Sequence, residues 1–139
     1  MSMIILMNTC FKMDTNKLRF YHSENNGWHK AIALQVNEIP EMEKMLTDSW
    51  VTEDPENIME MQGKDLFSVE LKKQEEEMRN LNKEIEFQQK KLQTRDVFDM
   101  NACIDVFCAQ DILRERIRNI EKKYLELKCN LMYYLSNLT

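Results

Sequence analysis

Glycine and proline are scarce in this chain of 139 residues, which contains two of each. A phosphate-binding loop needs several closely spaced glycines, because its backbone must approach the phosphates without intervening side chains. The scarcity therefore argues against a nucleotide-binding enzyme of the usual kind. Combined with 31% charged residues, it is typical of helical and coiled-coil proteins.

Long apolar runs and paired cysteines are also missing. No run approaches the length that spans a membrane, and the apolar start of the chain is too short for the core of a secretory signal. The cysteines form no CxxC pair and are too few for a disulfide scaffold, which indicates a reducing compartment. We therefore expect an intracellular protein, cytoplasmic or nuclear. The four cysteines are Cys10, Cys103, Cys108 and Cys129.

Histidine is represented only by His22 and His29, which together with Cys10 are the best material for a metal site. Zinc sites need four ligands at short paired spacings, and nothing in the sequence supplies a second pair. No pattern marks an activated nucleophile with its oxyanion hole. We therefore expect no catalytic residue, no cofactor and no metal, and hence no enzyme.

The net charge of −5 is concentrated between Glu38 and Asp65, where nine acidic residues accompany only Lys44 and Lys64. A protein that binds the phosphate backbone of a nucleic acid needs a cluster of basic side chains. We therefore expect neither nucleic acid nor membrane as a partner. A regulatory nucleic-acid-associated module, dimerised by a coiled coil, is kept as an alternative.

The first forty residues combine short apolar runs with turn residues, which favours an antiparallel β-meander. Strands are predicted at 4–13 and 18–22, and at 32–36, where apolar and polar residues alternate. The sequence Asn25-Asn26-Gly27 predicts a hairpin turn, since a type I′ turn needs positive φ at both central residues. A helix over 28–38 is the alternative to the third strand.

Pro40 is predicted to begin a short helix that covers this sheet, because the first helical turn tolerates the missing N–H. Trp28 and Trp50 would anchor the core of this head, residues 1–50. Residues 51–64 are expected to form an acidic linker with a short helical turn that Gly63 ends. Asp65 would then cap the helical hairpin or coiled coil predicted over 65–139.

Two apolar stripes with heptad spacing run along this last region. The first is partly polar, because Gln74 and Gln88 occupy two of its positions; the second has eight members in unbroken spacings of four and three. A helix with such a stripe must bury it against another helix. The first stripe comprises Leu71, Met78, Leu81, Ile85 and Leu92, and the second comprises Leu113, Ile117, Ile120, Tyr124, Leu127, Leu131, Tyr134 and Leu138.

The two stripes do not belong to one straight helix. A continuous pattern would place Arg95, Asp96 and Asp99 in the core, where unpaired charges are costly. We therefore expect a break near 94–99 and an antiparallel helical hairpin, with one long rod as the alternative.

The start of the second arm, residues 103–109, is apolar on nearly every side and needs more than one neighbour. A partner protein is one candidate, and ordinary core beneath the meander is the other. Its apolar residues Cys103, Ile104, Val106 and Phe107 join the stripes as the predicted interface. The end of the second stripe, from Leu131 to Leu138, is expected to extend beyond the first arm and is a second apolar surface that a partner could cover.

The sequence thus predicts an α+β protein that is mainly α, with a small N-terminal meander, a covering helix and a long helical hairpin. The predicted function is a non-enzymatic protein–protein interaction or assembly subunit, an adaptor or scaffold that associates through coiled-coil helices. The predicted partner is a protein, in a homodimer or a hetero-oligomer. An obligate subunit of a hetero-oligomeric coiled-coil complex is a further alternative.

Overall fold

Helices account for nearly all of the described part of the chain. The computed structural model describes the backbone of residues 3–49, 58–94 and 100–137, and the side chains of 16–49, 62–93 and 104–137. Helix α1 spans Met3–Asp48, α2 spans Ile58–Thr94 and α3 spans Met100–Asn137. These described residues contain no β-strand.

The chain divides into two units, and each unit contains a segment of all three helices. Unit 1 comprises Met1–Ala31 and Leu81–Ile117. Unit 2 comprises Ile32–Asn80 and Arg118–Thr139.

The core of unit 1 is built where an aromatic residue of α1 meets α2 and α3. Tyr21, Leu92 and Val106 are buried together, and Leu18 and Phe107 pack against them. The rings of Tyr21 and Phe107 meet edge to face, with centroids 5.9 Å apart and an interplanar angle of 71°. This geometry is favourable for aromatic pairs, so α1 is a full partner of the α2–α3 hairpin here.

The core of unit 2 is a set of large aliphatic and aromatic side chains from all three helices. Those of α1 recur at intervals of three and four residues, which is the period of one helical face. Each fully buried side chain contributes about 1.5 to 3 kcal/mol. The buried set comprises Ile32, Val36, Ile39, Met42 and Leu46 of α1, Leu71 and Met78 of α2, and Ile120, Tyr124 and Leu131 of α3.

The predicted β-meander is wrong, because the segments predicted as strands, 4–13, 18–22 and 32–36, all lie in α1. The Asn-Gly turn signal fails as well, since Asn25 is buried inside the helix and its side chain bonds to other helices. Positive φ, which that turn requires, does not occur in the described backbone. The alternative prediction of a helix over 28–38 agrees with the structure.

Pro40 lies inside α1 and does not begin a separate covering helix. It is exposed, so the backbone hydrogen bond that it removes is lost on the solvent side of the helix. Trp28 is half-buried, whereas Trp50 lies outside the described residues. Most of the predicted acidic linker, residues 51–57, is likewise outside them.

The predicted helical hairpin is confirmed. Helix α2 ends at Thr94 and α3 begins at Met100, and the break expected near 94–99 lies largely outside the described residues. At its other end, α2 begins at Ile58, ahead of the predicted start at Asp65, and continues through Gly63.

Candidate functional site

The predicted interface residues lie mostly inside the two units, because α1 packs on the hairpin and covers them. Association between chains through these residues therefore stays a prediction. Buried members are Leu71, Met78, Leu81, Ile85, Leu92, Val106, Leu113, Ile117, Ile120, Tyr124 and Leu131; Phe107, Leu127 and Tyr134 are half-buried, Ile104 is exposed, and the side chains of Cys103 and Leu138 are outside the described set.

The apolar segment 103–109 finds a neighbour within unit 1. Val106 is buried and Phe107 packs on Tyr21 of α1, so the helix that replaces the expected meander covers this surface. Ile104 retains part of its surface in solvent. Val106 and Phe107 are therefore covered within the chain, whereas Ile104 and Cys108 are exposed.

A buried polar layer crosses the core of unit 1. The Gln88 amide donates to the carbonyl of Val106 and to the side-chain oxygen of Gln110, both at 3.2 Å. The Gln110 amide in turn donates to Asn25 at 2.8 Å and to Glu24 at 2.9 Å. This layer links all three helices, and its polar groups fit together in only one register. Sequence reasoning noticed Gln88, but not its partner Gln110 on α3 or the bonds from Gln110 to Glu24 and Asn25 on α1.

An ion pair extends this layer towards the surface. Arg114 donates through two nitrogens to the two carboxylate oxygens of Glu24, at 2.7 and 2.8 Å. The hydrogen bond from Arg114 to Glu24 raises the pKa of the guanidinium, so Arg114 stays charged.

A second polar contact joins α1 and α3 in unit 2. The hydroxyl of buried Tyr124 donates to Glu38, and the ammonium of Lys128 donates to the same carboxylate at 3.0 Å. The hydrogen bond from Tyr124, followed by that from Lys128, lowers the pKa of Glu38. Burial, then the bond to Glu38, raises the pKa of Tyr124, so its proton stays on the phenol. The contact satisfies a buried hydroxyl and offers no reactive group.

A groove of about 550 Å³ lies between α2 and α3 in unit 2. No described side chain of α1 lines it, so it occupies a face of the hairpin that the described part of α1 does not cover. Leu127, a member of the predicted stripe, forms part of its wall.

One end of the groove is aromatic and apolar. The rings of Phe67 and Tyr134 lie with their centroids 5.0 Å apart, and Leu66 beside them is 67% exposed. The Tyr134 ring approaches the backbone of α2 so closely that a Cβ on Gly63 would lie 2.8 Å from its hydroxyl oxygen. This close contact explains why residue 63, inside a helix, is a glycine. We call these four residues the aromatic end.

The rest of the groove is bordered by charged side chains. They are Glu70, Lys73 and Glu77 of α2, with Lys123 and Glu126 of α3. None of the five forms an ion pair or hydrogen bond with another residue that the structure describes.

In unit 1, by contrast, α2 and α3 are bridged by an ion pair between Glu84 and Arg116. Among the described residues, the two arms of the hairpin therefore pair charges across unit 1 but not along the groove.

The remaining candidates for chemistry form no cluster among the described side chains, and that of Cys10 lies outside them. His29 pairs with Glu86 at 3.1 Å on the surface, and Cys108 and Cys129 are exposed free thiols. The described residues include no group of three or more metal-ligating side chains. Among the described helices, none combines the length and the apolar character needed to cross a membrane.

The comparisons with known proteins give no match, whether with protein-family models, with curated proteins or with solved structures. Inference about function therefore depends on the geometry and charge of the groove.

Proposed function

We propose that this chain is a non-enzymatic assembly subunit, an adaptor or scaffold, and that the groove between α2 and α3 in unit 2 binds an amphipathic helix of a different protein. The observation that carries this proposal is the open groove, which combines an apolar aromatic end with unpaired charges along its rim. Peptide-binding grooves of this kind accept a helix through a few apolar anchors.

The dimensions of the groove suit a helix. Its lining on α2 extends from Gly63 to Glu77, which at 1.5 Å per residue corresponds to about 21 Å, or four helical turns. A third helix laid between two others packs its side chains into the space between their ridges. The occupant is therefore a helical segment of about four turns.

The aromatic end supplies the main source of affinity. Leu66 is 67% exposed in the free chain, and covering a leucine fully is worth about 1.5 to 3 kcal/mol. Aromatic residues such as Phe67 and Tyr134 are enriched among the residues that dominate binding energy. A single apolar anchor inserted here would give the contact most of its strength.

A different protein fits the groove better than a second copy does. A second copy would have to present a free apolar helix face, and the heptad stripes of the described residues are largely buried within the chain. Nucleic acid is disfavoured because three of the five charged side chains on the rim are carboxylates.

The test uses the full chain and a synthetic helical peptide of about 16 residues with a leucine and phenylalanine stripe and uncharged flanks. We expect saturable NMR shifts confined to Leu66, Leu127 and Tyr134. Leu66→Asp should abolish them, and Leu34→Asp should not. Leu34 is a matched control, because it is also 67% exposed but lies on α1 outside the groove. Shifts elsewhere, or equal loss in both variants, would overturn the proposal.

The mass in solution shows whether the partner is a different protein or a second copy of this chain. By analytical ultracentrifugation we expect wild type and Leu127→Asp to be folded monomers. A wild-type dimer that Leu127→Asp dissociates would assign the groove to a second copy and would contradict the proposal of a different protein.

A further inference from the structure

The chain contains two glycines, Gly27 and Gly63, and both lie inside helices. A glycine in such a position destabilises the helix relative to alanine, because its backbone loses more freedom on folding. Neither glycine has a positive φ, so the backbone conformation requires glycine at neither position. What can require one is a lack of space for a Cβ.

The space around the two glycines differs. A Cβ on Gly27 would meet no atom within 4 Å. A Cβ on Gly63 would lie 2.8 Å from the hydroxyl oxygen of Tyr134, 2.9 Å from its Cε2 and 3.0 Å from its Cζ. Carbon atoms in contact prefer a separation of about 3.5 to 4.0 Å, so the Tyr134 ring would have to move by about 0.5 Å or more.

The ring can move only away from α2. Gly63 and Phe67 lie one helical turn apart on the same side of α2, and the Tyr134 ring lies against both of them. Its free side is the side of the groove, which Tyr134 lines together with Leu66. A displaced ring would therefore take up room at the aromatic end.

We infer that Gly63 sets the size of the anchor that the groove accepts. With glycine at this position, the Tyr134 ring lies close against α2, and the aromatic end has room for a large apolar side chain of the partner helix, such as leucine. With a Cβ there, the ring occupies part of that room. Gly63 is thus a positioning residue that acts through Tyr134. This inference rests on the proposed function, since it names the anchor of the partner of the same groove.

Two labelled helical peptides of about 16 residues with uncharged flanks test the inference. They differ at one central position, the anchor, which is leucine in the first and alanine in the second. Titrated with the full chain and followed by fluorescence anisotropy, the leucine peptide should bind wild type about tenfold more tightly, because it buries more apolar surface. A tenfold difference corresponds to about 1.4 kcal/mol.

The variant Gly63→Ala should reduce this preference to about twofold by weakening the leucine peptide, with little change for the alanine peptide. Gly27→Ala is the matched control, because it also replaces a glycine inside a helix but places its Cβ in open space. It should keep the tenfold preference. Only the end of one side chain has to move in Gly63→Ala, so we expect circular dichroism to show a helical content equal to that of wild type.

Removal of the ring assigns the effect to Tyr134. In the Tyr134→Ala background no ring lies against residue 63, so adding Gly63→Ala should change neither peptide affinity. This double-variant comparison separates an effect through the ring from an effect of alanine on the helix itself.

The outcomes separate this inference from the proposed function. A tenfold preference that persists in Gly63→Ala would overturn the inference, as would an equal loss of affinity for both peptides or an effect that persists without the Tyr134 ring. Equal binding of both peptides to wild type, with NMR shifts still at Leu66, would overturn the inference and leave the groove as a helix-binding site. Failure of both peptides to bind wild type would overturn the proposed function itself.

Discussion

Replacement of Gln110 by leucine tests whether the buried polar layer is a satisfied network. Gln110 is 0% exposed, donates to Asn25 at 2.8 Å and to Glu24 at 2.9 Å, and accepts from Gln88 at 3.2 Å. Leucine fills a similar volume, so the main change is the loss of these bonds. Glu24 still accepts hydrogen bonds from Arg114, and Gln88 still donates to the carbonyl of Val106. The side-chain oxygen of Asn25, by contrast, loses its donor.

The expected cost follows from this single unsatisfied oxygen. A buried polar group without a partner costs about 1 to 3 kcal/mol, so Gln110→Leu should lower the free energy of unfolding by about 2 kcal/mol. In the double variant Asn25→Leu and Gln110→Leu, that oxygen is removed as well. The double variant should therefore lose about 1 kcal/mol less than the sum of the two single variants.

Urea unfolding followed by circular dichroism at 222 nm measures these differences. Gln93→Leu is the control, because Gln93 is exposed on α2 and should change stability by less than about 0.5 kcal/mol. Two results would refute the reasoning: a Gln110→Leu variant as stable as wild type, or strictly additive single and double variants.

Two further predictions concern α1. Pro40→Ala should raise the free energy of unfolding by up to about 3 kcal/mol in the same urea assay, because alanine restores an N–H that can bond to the carbonyl of Val36; no change would contradict a helix that continues through Pro40. The bonds from Tyr124 and Lys128 lower the pKa of Glu38 below its ordinary value of 4.5, so the unfolded chain binds that proton more readily. The free energy of unfolding should therefore fall as the pH drops below about 4.5. In unfolding curves measured from pH 6 to 2.5, Glu38→Gln should make this fall shallower. The same pH dependence in wild type and variant would refute the role of Glu38.

The helical hairpin could be predicted because its signals are local and mutually consistent. The stripe from Leu113 onward keeps a heptad spacing, and the charges at Arg95, Asp96 and Asp99 interrupt any continuous core. Each arm needs an apolar neighbour, and the other arm supplies one. Such a pattern specifies a hairpin whatever else packs on it.

Helix α1 could not be predicted from the same kind of evidence. Ile32, Leu34 and Val36 alternate as a strand would, yet Leu34 is exposed and the buried series continues through Ile39 with helical spacing. Asn25 occupies a core position only because Gln89 and Gln110 on other helices bond to it. The choice between strand and helix was therefore made by tertiary contacts that a single segment does not reveal.

The groove was beyond sequence reasoning for a related reason. Leu66, Lys73 and Lys123 have no periodic pattern that sets them apart from an ordinary solvated helix face. They become a site only because α1 packs on another face of the hairpin and leaves theirs free. The signal that was available is Gly63, an isolated glycine in a helical pattern, which often marks close packing.

Leu127 and Tyr134 belong both to the heptad stripe and to the lining of the groove. The prediction that the stripe binds a partner is therefore limited to these residues. Tyr124 and Leu131 are 2% and 0% exposed, whereas Leu127 and Tyr134 are half-buried and line the groove. Leu131 lies between them in the chain and is fully buried, so Leu127 and Tyr134 lie on the side of α3 that faces the groove. Within the described part of α3, these two are therefore the stripe residues that still have surface to offer a partner. A partner helix in the groove would cover them.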